Sequence, residues 1–262
     1  MNDTVQLRRD GPVATLTLNR PDALNSLNGE MIDALVAHTA TVAADDALRV
    51  VVLRGAGRHF MAGGDIRSFA ERLGEPPATR SEGFSGMIGR LHAAIEHLHR
   101  MPHPVVGCVH GAVAGFGLSL MNACDLVVAA DDTYFASAYR QIGLTPDGGG
   151  SWSLPRLVGM RKAMEILLLS ERFSAADALS LGLVNRVVPA AELATVTRAL
   201  AQRIAQGPPK VLAMAKHMVN RAAASNLENA LDVEAFSQAI ATTGDEHREG
   251  LAAFFAKRPA KF

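Results

Sequence analysis

The sequence predicts an α/β fold, in which a largely parallel sheet is followed by a helical C-terminal region. Three observations lead to this prediction. The chain opens with a hairpin pattern and then changes to strand–helix–strand order. The run VVVL within residues 49–54 is apolar on both faces, as in a parallel sheet that helices cover on each side. Beyond residue 190, the patterns are helical alone.

The first part of the chain is predicted to form a hairpin, a helix and a third strand. Asp10-Gly11 is a two-residue turn of the kind that joins hairpin strands. Asn28 is a good N-cap for a helix whose apolar residues recur at helical spacing and which ends before Asp45. The predicted strands are 5–9, 13–18 and 49–54.

Two glycine turns in the middle of the chain each open onto a predicted helix. The first spans Ala62 to Ile66, and the second is HGAVAGFG, from His110 to Gly117, directly after an apolar strand at 105–109. A helix start leaves backbone N–H groups unpaired, and such groups can stabilise an oxygen that gains negative charge. Spacing along the chain gives no reason to expect that the two turns meet.

The remaining elements are predicted from composition and periodicity. The Pro-rich segment 75–81 is predicted to be a mobile surface loop, followed by a helix to Arg100 with an apolar stripe. Short strands are predicted at 126–130, 133–136 and 183–188, a turn-rich loop at 142–150, and helices at 160–169, 174–181, 191–206, 209–222, 227–242 and in the tail. We therefore divide the chain into a core of residues 1–190 and a helical region of residues 191–262.

Charge and composition argue against several classes of protein. Lys plus Arg and Asp plus Glu both number 26, so the net charge is zero, unlike proteins that bind nucleic acid or membrane surfaces. Cys108 and Cys124 lie in an apolar stretch and are predicted to be buried thiols, not a disulfide or metal set. The first residues lack the apolar segment of a secretory signal, so a cytoplasmic protein is expected.

Other interpretations of single segments are weaker. The stretch 104–125 is long enough to span a membrane, but polar residues and the glycines at 111, 115 and 117 interrupt it. The G-A-G after the third strand lacks the last glycine of a dinucleotide motif. His92, Glu96 and His99 share a helix face, yet their spacing matches no metal motif, and a solvated face is expected.

Asp147 is the candidate proton carrier. Pro-Asp-Gly is also an ordinary turn sequence, in which Asp bonds its own backbone, and without further evidence that interpretation is favoured. Ser119 and Ser85 are not nucleophile candidates, since neither lies in a G-x-S-x-G sequence.

Taken together, the motifs resemble those of the crotonase superfamily, the enoyl-CoA hydratases and isomerases, over nearly the whole chain. This resemblance implies a spiral of repeated β-β-α units, a homotrimer or dimer of trimers, and an acyl-CoA thioester as substrate, with no metal and no cofactor beyond the coenzyme A of the substrate. The matching segments are NRP at 19–21 with Leu24-Asn25, AGGDI at 62–66, HGAVAGFG at 110–117, PDGGG at 146–150, and REG with FxxKR in the tail.

The resemblance also implies roles for single residues. The backbone N–H groups of Gly64 and Phe116 would form an oxyanion hole for the thioester oxygen, so that an enolate is stabilised. Contacts with the substrate or its coenzyme A are implied for Ala23, Leu24, Asn25, Ala62, Gly63, Asp65, Ile66, Arg67 and Tyr139 and, from a neighbouring subunit, for Phe254 and Lys257.

The departures from the family pattern concern the acid/base groups. Hydratases of the family carry two glutamates, which align with Ser119 and Tyr139, so the base that would activate water is missing. Asp147 aligns with the single carboxylate of the isomerases, and its surroundings are similar to those in bacterial ring isomerases of phenylacetyl-CoA degradation. The expected activity is an enoyl-CoA isomerase; an enoyl-CoA hydratase and a non-catalytic acyl-CoA-binding homologue are the alternatives.

Overall fold

The computed structural model of the protein describes residues 3–262 and contains two sheets. The larger has the strand order β1-β2-β3-β4-β6-β9, and only β1 runs antiparallel to its neighbour. The smaller has the order β5-β7-β8. The strands are β1 Val5–Asp10, β2 Val13–Leu18, β3 Val50–Gly55, β4 Val105–Val109, β5 Ala112–Ala114, β6 Leu126–Ala130, β7 Tyr134–Ala136, β8 Phe173–Ser174 and β9 Arg186–Val188. The predicted hairpin and parallel sheet are confirmed.

Helices surround the two sheets, and most begin where the sequence predicts. The Asn28 side chain caps α1 by accepting a hydrogen bond of 3.0 Å from the Met31 amide, and Ser174 and Asp177 form a capping box at α7. The helices are α1 Gly29–Ala43, α2 Ile66–Glu71, α3 Pro77–Arg100, α4 Phe116–Asn122, α5 Gly150–Val158, α6 Met160–Leu169, α7 Ala175–Ser180, α8 Leu193–Ala205, α9 Pro209–Ala222, α10 Leu227–Thr242 and α11 Asp245–Phe255.

Two of these helices correct or extend the sequence prediction. The predicted mobile loop at 75–81 is wrong from residue 77 onward, because α3 begins at Pro77. Proline is well suited to the first turn of a helix, where its missing N–H has no partner to lose. The helix α5 was not predicted, and it continues through Pro155, a residue that lowers the helical propensity of the segment.

The order of the elements forms a spiral. One turn consists of β4, β5 and α4, and the next consists of β6, β7 and α5. An earlier turn has β3, a single pairing of Met61 with Val113 of β5, and α2. Each turn therefore adds a strand to the larger sheet, then an extended segment to the smaller one, then a helix. This is the repeated β-β-α architecture that the resemblance implies.

The larger sheet is buried on both faces, as the VVVL run predicts. One face, which includes Val51 and Leu53, packs against α1 and α3 in the main core. The other face, with Val50 and Val52, packs against Leu193 and Ala201 of α8. Because α8 covers the sheet, residues 193–205 contribute to the core of the fold. The division of the chain at residue 190 stays a prediction.

The last three helices bury few apolar residues in the single chain. Large apolar side chains are exposed on α9, α10 and α11, among them Val219, Leu227, Phe236, Phe254 and Phe255. Over residues 3–262, no helix combines the length and apolar character needed to cross a membrane.

Candidate active site

The two glycine turns meet because the segments that lead into them pair as parallel strands. Met61 pairs with Val113, and the Ala114 amide donates a hydrogen bond of 2.9 Å to the Met61 carbonyl oxygen. Three residues further along each segment, this register reaches Gly64 on one side and Phe116 on the other. The meeting that spacing alone did not predict thus follows from the spiral, in which both turns occupy the same place in successive units.

Glycine is required at this crossing for two physical reasons. Gly115 has φ 54° and ψ −126°, a conformation open in practice only to glycine. Gly63 has φ +99°, and a Cβ there would lie 3.3 Å from the Ala114 carbonyl oxygen. A Cβ on Gly117 would collide with the Met61 carbonyl oxygen. The motifs AGGD and AGFG are therefore needed so that two backbones can approach closely.

Gly64 and Phe116 both line one cavity of about 710 Å³. Neither amide donates a hydrogen bond to another group within residues 3–262. Two adjacent, unpaired N–H groups at a cavity wall are the arrangement that stabilises an oxygen on which negative charge develops.

Asp147 lies in the same cavity, in contact with the two residues that align with the hydratase glutamates. The Tyr139 hydroxyl donates a hydrogen bond of 2.6 Å to Asp147 Oδ1. The Ser119 hydroxyl donates to the Asp147 carbonyl oxygen at 2.8 Å and lies 3.4 Å from the Tyr139 hydroxyl. Ser119, Tyr139 and Asp147 thus form one hydrogen-bonded cluster, although Ser119 lies on α4, at least 20 residues before the other two.

The PDGGG segment is more than a surface turn, because it packs directly on α4. Gly148 has φ +56°, and a Cβ there would stand 2.7 Å from Phe116 Cε2 and 3.0 Å from Ser119 Cβ. A Cβ on Gly150 would stand 2.8 Å from Ser119 Oγ. These glycines let the segment that carries Asp147 pack closely against the Phe116 ring and Ser119 of α4.

Burial of the cluster shifts both of its titratable groups. Desolvation raises the pKa of Asp147, while the hydrogen bond from Tyr139 and the nearby charge of His92 partly oppose this rise. Burial also raises the pKa of Tyr139, as does the adjacent carboxylate of Asp147, so the phenol stays protonated and acts as a donor. A carboxylate with a raised pKa is a stronger base than a solvated one.

The rest of the cavity is mainly apolar. Among the described residues that line it, Asp147 is the one carboxylate. The apolar wall consists of Phe69, Phe84, Met87, Ile88, Leu91, Ile142 and Leu144. Of the residues singled out from the sequence, Ala62, Gly63, Gly64, Ile66, Phe116, Tyr139 and Asp147 line the cavity, whereas Ala23, Leu24, Asn25, Asp65, Arg67, Phe254 and Lys257 do not.

The loops of residues 23–27 and 62–67 lie side by side near this cavity. The Ala62 amide donates to the Leu24 carbonyl oxygen at 3.1 Å, and the Leu27 amide donates to the Gly63 carbonyl oxygen at 2.8 Å. Leu24, Ile66 and Arg67 are exposed on this surface. The Asp65 side chain caps α2 at the Arg67 amide, 3.2 Å away, and pairs with Arg20 at 3.0 Å. Asp65 therefore holds the two loops together.

The Asn25 side chain points into the protein, not toward a ligand. Its amide donates to the carbonyl oxygens of Ala56 at 2.9 Å and His59 at 2.7 Å, and its oxygen accepts from the Arg20 amide at 2.8 Å. The residue is completely buried, with a left-handed φ of 55° that Asn adopts more readily than most residues. Only its backbone is available for a contact with coenzyme A.

Phe254 and Lys257 lie at the end of α11 and are both exposed. The Phe254 side chain is 76% exposed. Their implied contact with coenzyme A bound to a neighbouring subunit stays a prediction.

Comparison with known proteins identifies the family of the chain. A family model described as enoyl-CoA hydratase/isomerase matches residues 8–262. The chain belongs to the enoyl-CoA hydratase/isomerase family, within the crotonase superfamily. It is 37% identical to the 1,2-epoxyphenylacetyl-CoA isomerase of Escherichia coli, over 95% of this chain and 94% of that protein. It is 31% identical to the short-chain-enoyl-CoA hydratase of Clostridium acetobutylicum, over 98% of this chain and 96% of that protein.

Solved structures of the family share the fold. The enoyl-CoA hydratase of Mycobacterium smegmatis superimposes with a TM-score of 0.91 at 35% identity, covering 98% of both chains. The relatives of this enoyl-CoA hydratase/isomerase family member thus include proteins named as hydratases and a protein named as an isomerase. Membership of the family alone does not establish which reaction the chain catalyses.

One residue on the cavity wall, His92, was not a site candidate in the sequence analysis. His92 is exposed, as expected for a solvated helix face, and it also lines the cavity, where its charge lowers the pKa of Asp147. The signal for its position was the spacing Ser85, Gly89, His92, which places all three on one side of α3.

Proposed function

We propose that the protein is an enoyl-CoA isomerase that shifts a double bond along the acyl chain of a coenzyme A thioester. The observation that carries this proposal is the composition of the acid/base cluster. Asp147 supplies one carboxylate, and Tyr139 and Ser119 supply hydroxyls at the positions aligned with the glutamates of the hydratases. A single carboxylate suffices to move a proton between two carbons, whereas hydration also requires a base for water.

The proton acceptor in this proposal is Asp147 Oδ2, because Oδ1 already accepts the Tyr139 hydrogen bond. Asp147 removes the proton from the carbon between the thioester carbonyl and the double bond. The electron pair of that C–H bond moves into the carbonyl, which gives a conjugated enolate. The protonated Asp147 then returns the proton at the far carbon, and the new double bond is conjugated with the thioester.

The enolate oxygen is stabilised by the N–H groups of Gly64 and Phe116. Each donor of this kind lowers the barrier by about 3–4 kcal/mol where a carbonyl oxygen gains charge. Both N–H groups of the oxyanion hole follow paired backbone segments that hold them in place, so they need not rearrange as charge develops on the oxygen.

Coenzyme A is proposed to lie along the adjacent loops of residues 23–25 and 62–67. The exposed Leu24, Ile66 and Arg67 support this position. We also propose a homotrimer or dimer of trimers, in which the exposed apolar side chains of α9 to α11 become buried and Phe254 and Lys257 approach a neighbour's coenzyme A. The reaction is proposed to need no metal or other cofactor, and the protein is proposed to be cytoplasmic.

The experiment that tests the proposal supplies 3-enoyl-CoA and 2-enoyl-CoA thioesters in separate assays. An isomerase forms the conjugated 2-enoyl thioester from the first substrate, with a gain in ultraviolet absorbance and no change in mass. Loss of that absorbance from the second, with a product heavier by one water, would instead establish a hydratase. Binding without either product, and without exchange of the α-proton in heavy water, would establish a non-catalytic homologue.

Replacement of Tyr139 by phenylalanine tests whether the phenol positions Asp147. We expect kcat to fall by roughly 10- to 100-fold, since a carboxylate that is no longer held in place by the phenol is poorly aligned with the acyl carbon, even though its pKa rises. KM stays nearly unchanged, and the acidic limb of the pH profile moves to higher pH, because the lost hydrogen bond had lowered the pKa of Asp147. The control is Tyr134→Phe, outside the cavity. Equal kinetics for both variants would contradict this role.

Replacement of His92 by glutamine tests its charge effect. A positive charge near Asp147 lowers the pKa of that carboxyl, so its removal raises the pKa. The proposed base is active when ionised, so the acidic limb of kcat/KM is expected to move to higher pH. The control is His247→Gln on the exposed surface of α11. A limb that stays in place, or moves to lower pH, would show that His92 does not act on the base.

A further inference from the structure

One side of α3 forms a wall of the cavity and carries a glycine at its centre. Ser85, Gly89 and His92 follow one another at spacings of four and three residues, and all three line the cavity. Residues at these spacings lie on the same face of a helix. No heavy atom comes within 4 Å of the point where a Cβ on Gly89 would stand. Gly89 is exposed and has no side chain, so the helix leaves an open recess at this point of the cavity wall.

The glycine at this position is not explained by packing. Glycine inside a helix is unfavourable relative to other residues, so its presence requires a reason. Gly83 has one, since a Cβ there would collide with the Arg72 guanidinium. Gly86 and Gly89 have open space around them, but only Gly89 borders the cavity.

Two aromatic rings lie on the same cavity. Phe69 and Phe84 have ring centroids 5.0 Å apart at an interplanar angle of 56°. The Phe69 ring packs on Gly64, where an added Cβ would be only 2.5 Å from Phe69 Cζ. The rings thus stand beside the amide proposed to hold the thioester oxygen, where the first carbons of an acyl group would lie.

We propose that Gly89 determines how bulky an acyl group the cavity accepts, and that the substrate class is a thioester of an apolar acyl group with a ring or a branch near the thioester. The inference rests on the proposed acyl-CoA site. The recess at Gly89 admits the bulk of this group, and the rings of Phe69 and Phe84 pack against it. Because the wall around them is apolar, a charged acyl group would lose its solvation without a partner.

The test measures binding of two unreactive saturated thioesters by calorimetry. Butyryl-CoA is the slender probe and cyclohexylacetyl-CoA is the bulky one. The wild-type protein is expected to bind the bulky probe more tightly. Gly89→Leu is expected to weaken binding of the bulky probe by on the order of tenfold or more, as misfit of a few carbons in an apolar pocket does, and to leave butyryl-CoA nearly unaffected.

Gly86→Leu is the matched control, since it makes the same change on the same helix outside the cavity. Equal losses for both probes in Gly89→Leu, no loss for either, or the same selectivity in Gly86→Leu would overturn the inference. If Gly89→Leu fails to fold, Gly89→Ala replaces it. This milder change is expected to weaken binding of the bulky probe more than binding of butyryl-CoA, by a smaller factor. The binding assay does not depend on turnover. Selective loss of bulky-probe binding in a protein that lacks isomerase activity would overturn the proposed function alone. Isomerase activity without selective loss of bulky-probe binding would overturn this inference alone.

Discussion

Asp147→Asn is expected to lower kcat for a 3-enoyl-CoA by about 10²–10⁴-fold, the usual contribution of a positioned acid/base group. The asparagine amide matches the carboxylate in shape, and its oxygen can still accept the 2.6 Å hydrogen bond from Tyr139. It cannot take a proton from carbon at neutral pH. Binding of a saturated acyl-CoA is expected to stay intact, because the oxyanion hole is unchanged. Steady-state kinetics and calorimetry measure the two effects separately.

The matched control for this variant is Asp132→Asn, a carboxylate on an exposed turn outside the cavity. It is expected to have wild-type kinetics. Turnover like that of the wild type by Asp147→Asn would eliminate Asp147 as the proton carrier. A fall in kcat together with lost binding of the saturated thioester would point to a structural role instead.

Gly117→Ala is expected to lower kcat/KM by about 10²–10³-fold, the cost of removing one donor from an oxyanion hole. The added Cβ would collide with the Met61 carbonyl oxygen. That oxygen already accepts the hydrogen bond from the Ala114 amide, so it is held in the smaller sheet and cannot yield easily. The start of α4 must move instead, and the Phe116 amide moves with it.

The control here is Gly29→Ala, at the first residue of α1, where no atom lies within 4 Å of an added Cβ. It is expected to keep full activity. Circular dichroism and thermal unfolding establish whether Gly117→Ala is folded at the assay temperature. A folded Gly117→Ala variant with normal kcat/KM would show that the Phe116 amide does not stabilise the transition state.

Much of the fold can be predicted from local sequence, and the exceptions have physical causes. The hairpin, whose turn is Gly11-Pro12 and thus one residue beyond the predicted Asp10-Gly11, and the buried strand β3 follow from patterns within a few residues. The start of α3 at Pro77 does not, because Pro76-Pro77 is equally typical of a loop. The helix α5 contains Pro155, which local propensity disfavours and tertiary packing overrides.

The candidate site, like the fold, has some features that the sequence predicts and others that it does not. The sequence by itself determined that glycines follow two strands, that Ser119 and Tyr139 replace carboxylates of the family pattern, and that Asp147 is present nearby in the chain. These are properties of residue identity, and motif comparison detects them directly.

Only the tertiary structure decided how these residues act together. It brings Gly64 beside Phe116 through parallel pairing, directs the Tyr139 hydroxyl to Asp147, and shows that the exposed His92 also lines the cavity. It also shows that the Asn25 side chain is used within the protein. The physical reason is that these contacts depend on the strand register between successive turns of the spiral and on the path of the loop that separates Tyr139 from Asp147, and local sequence patterns encode neither.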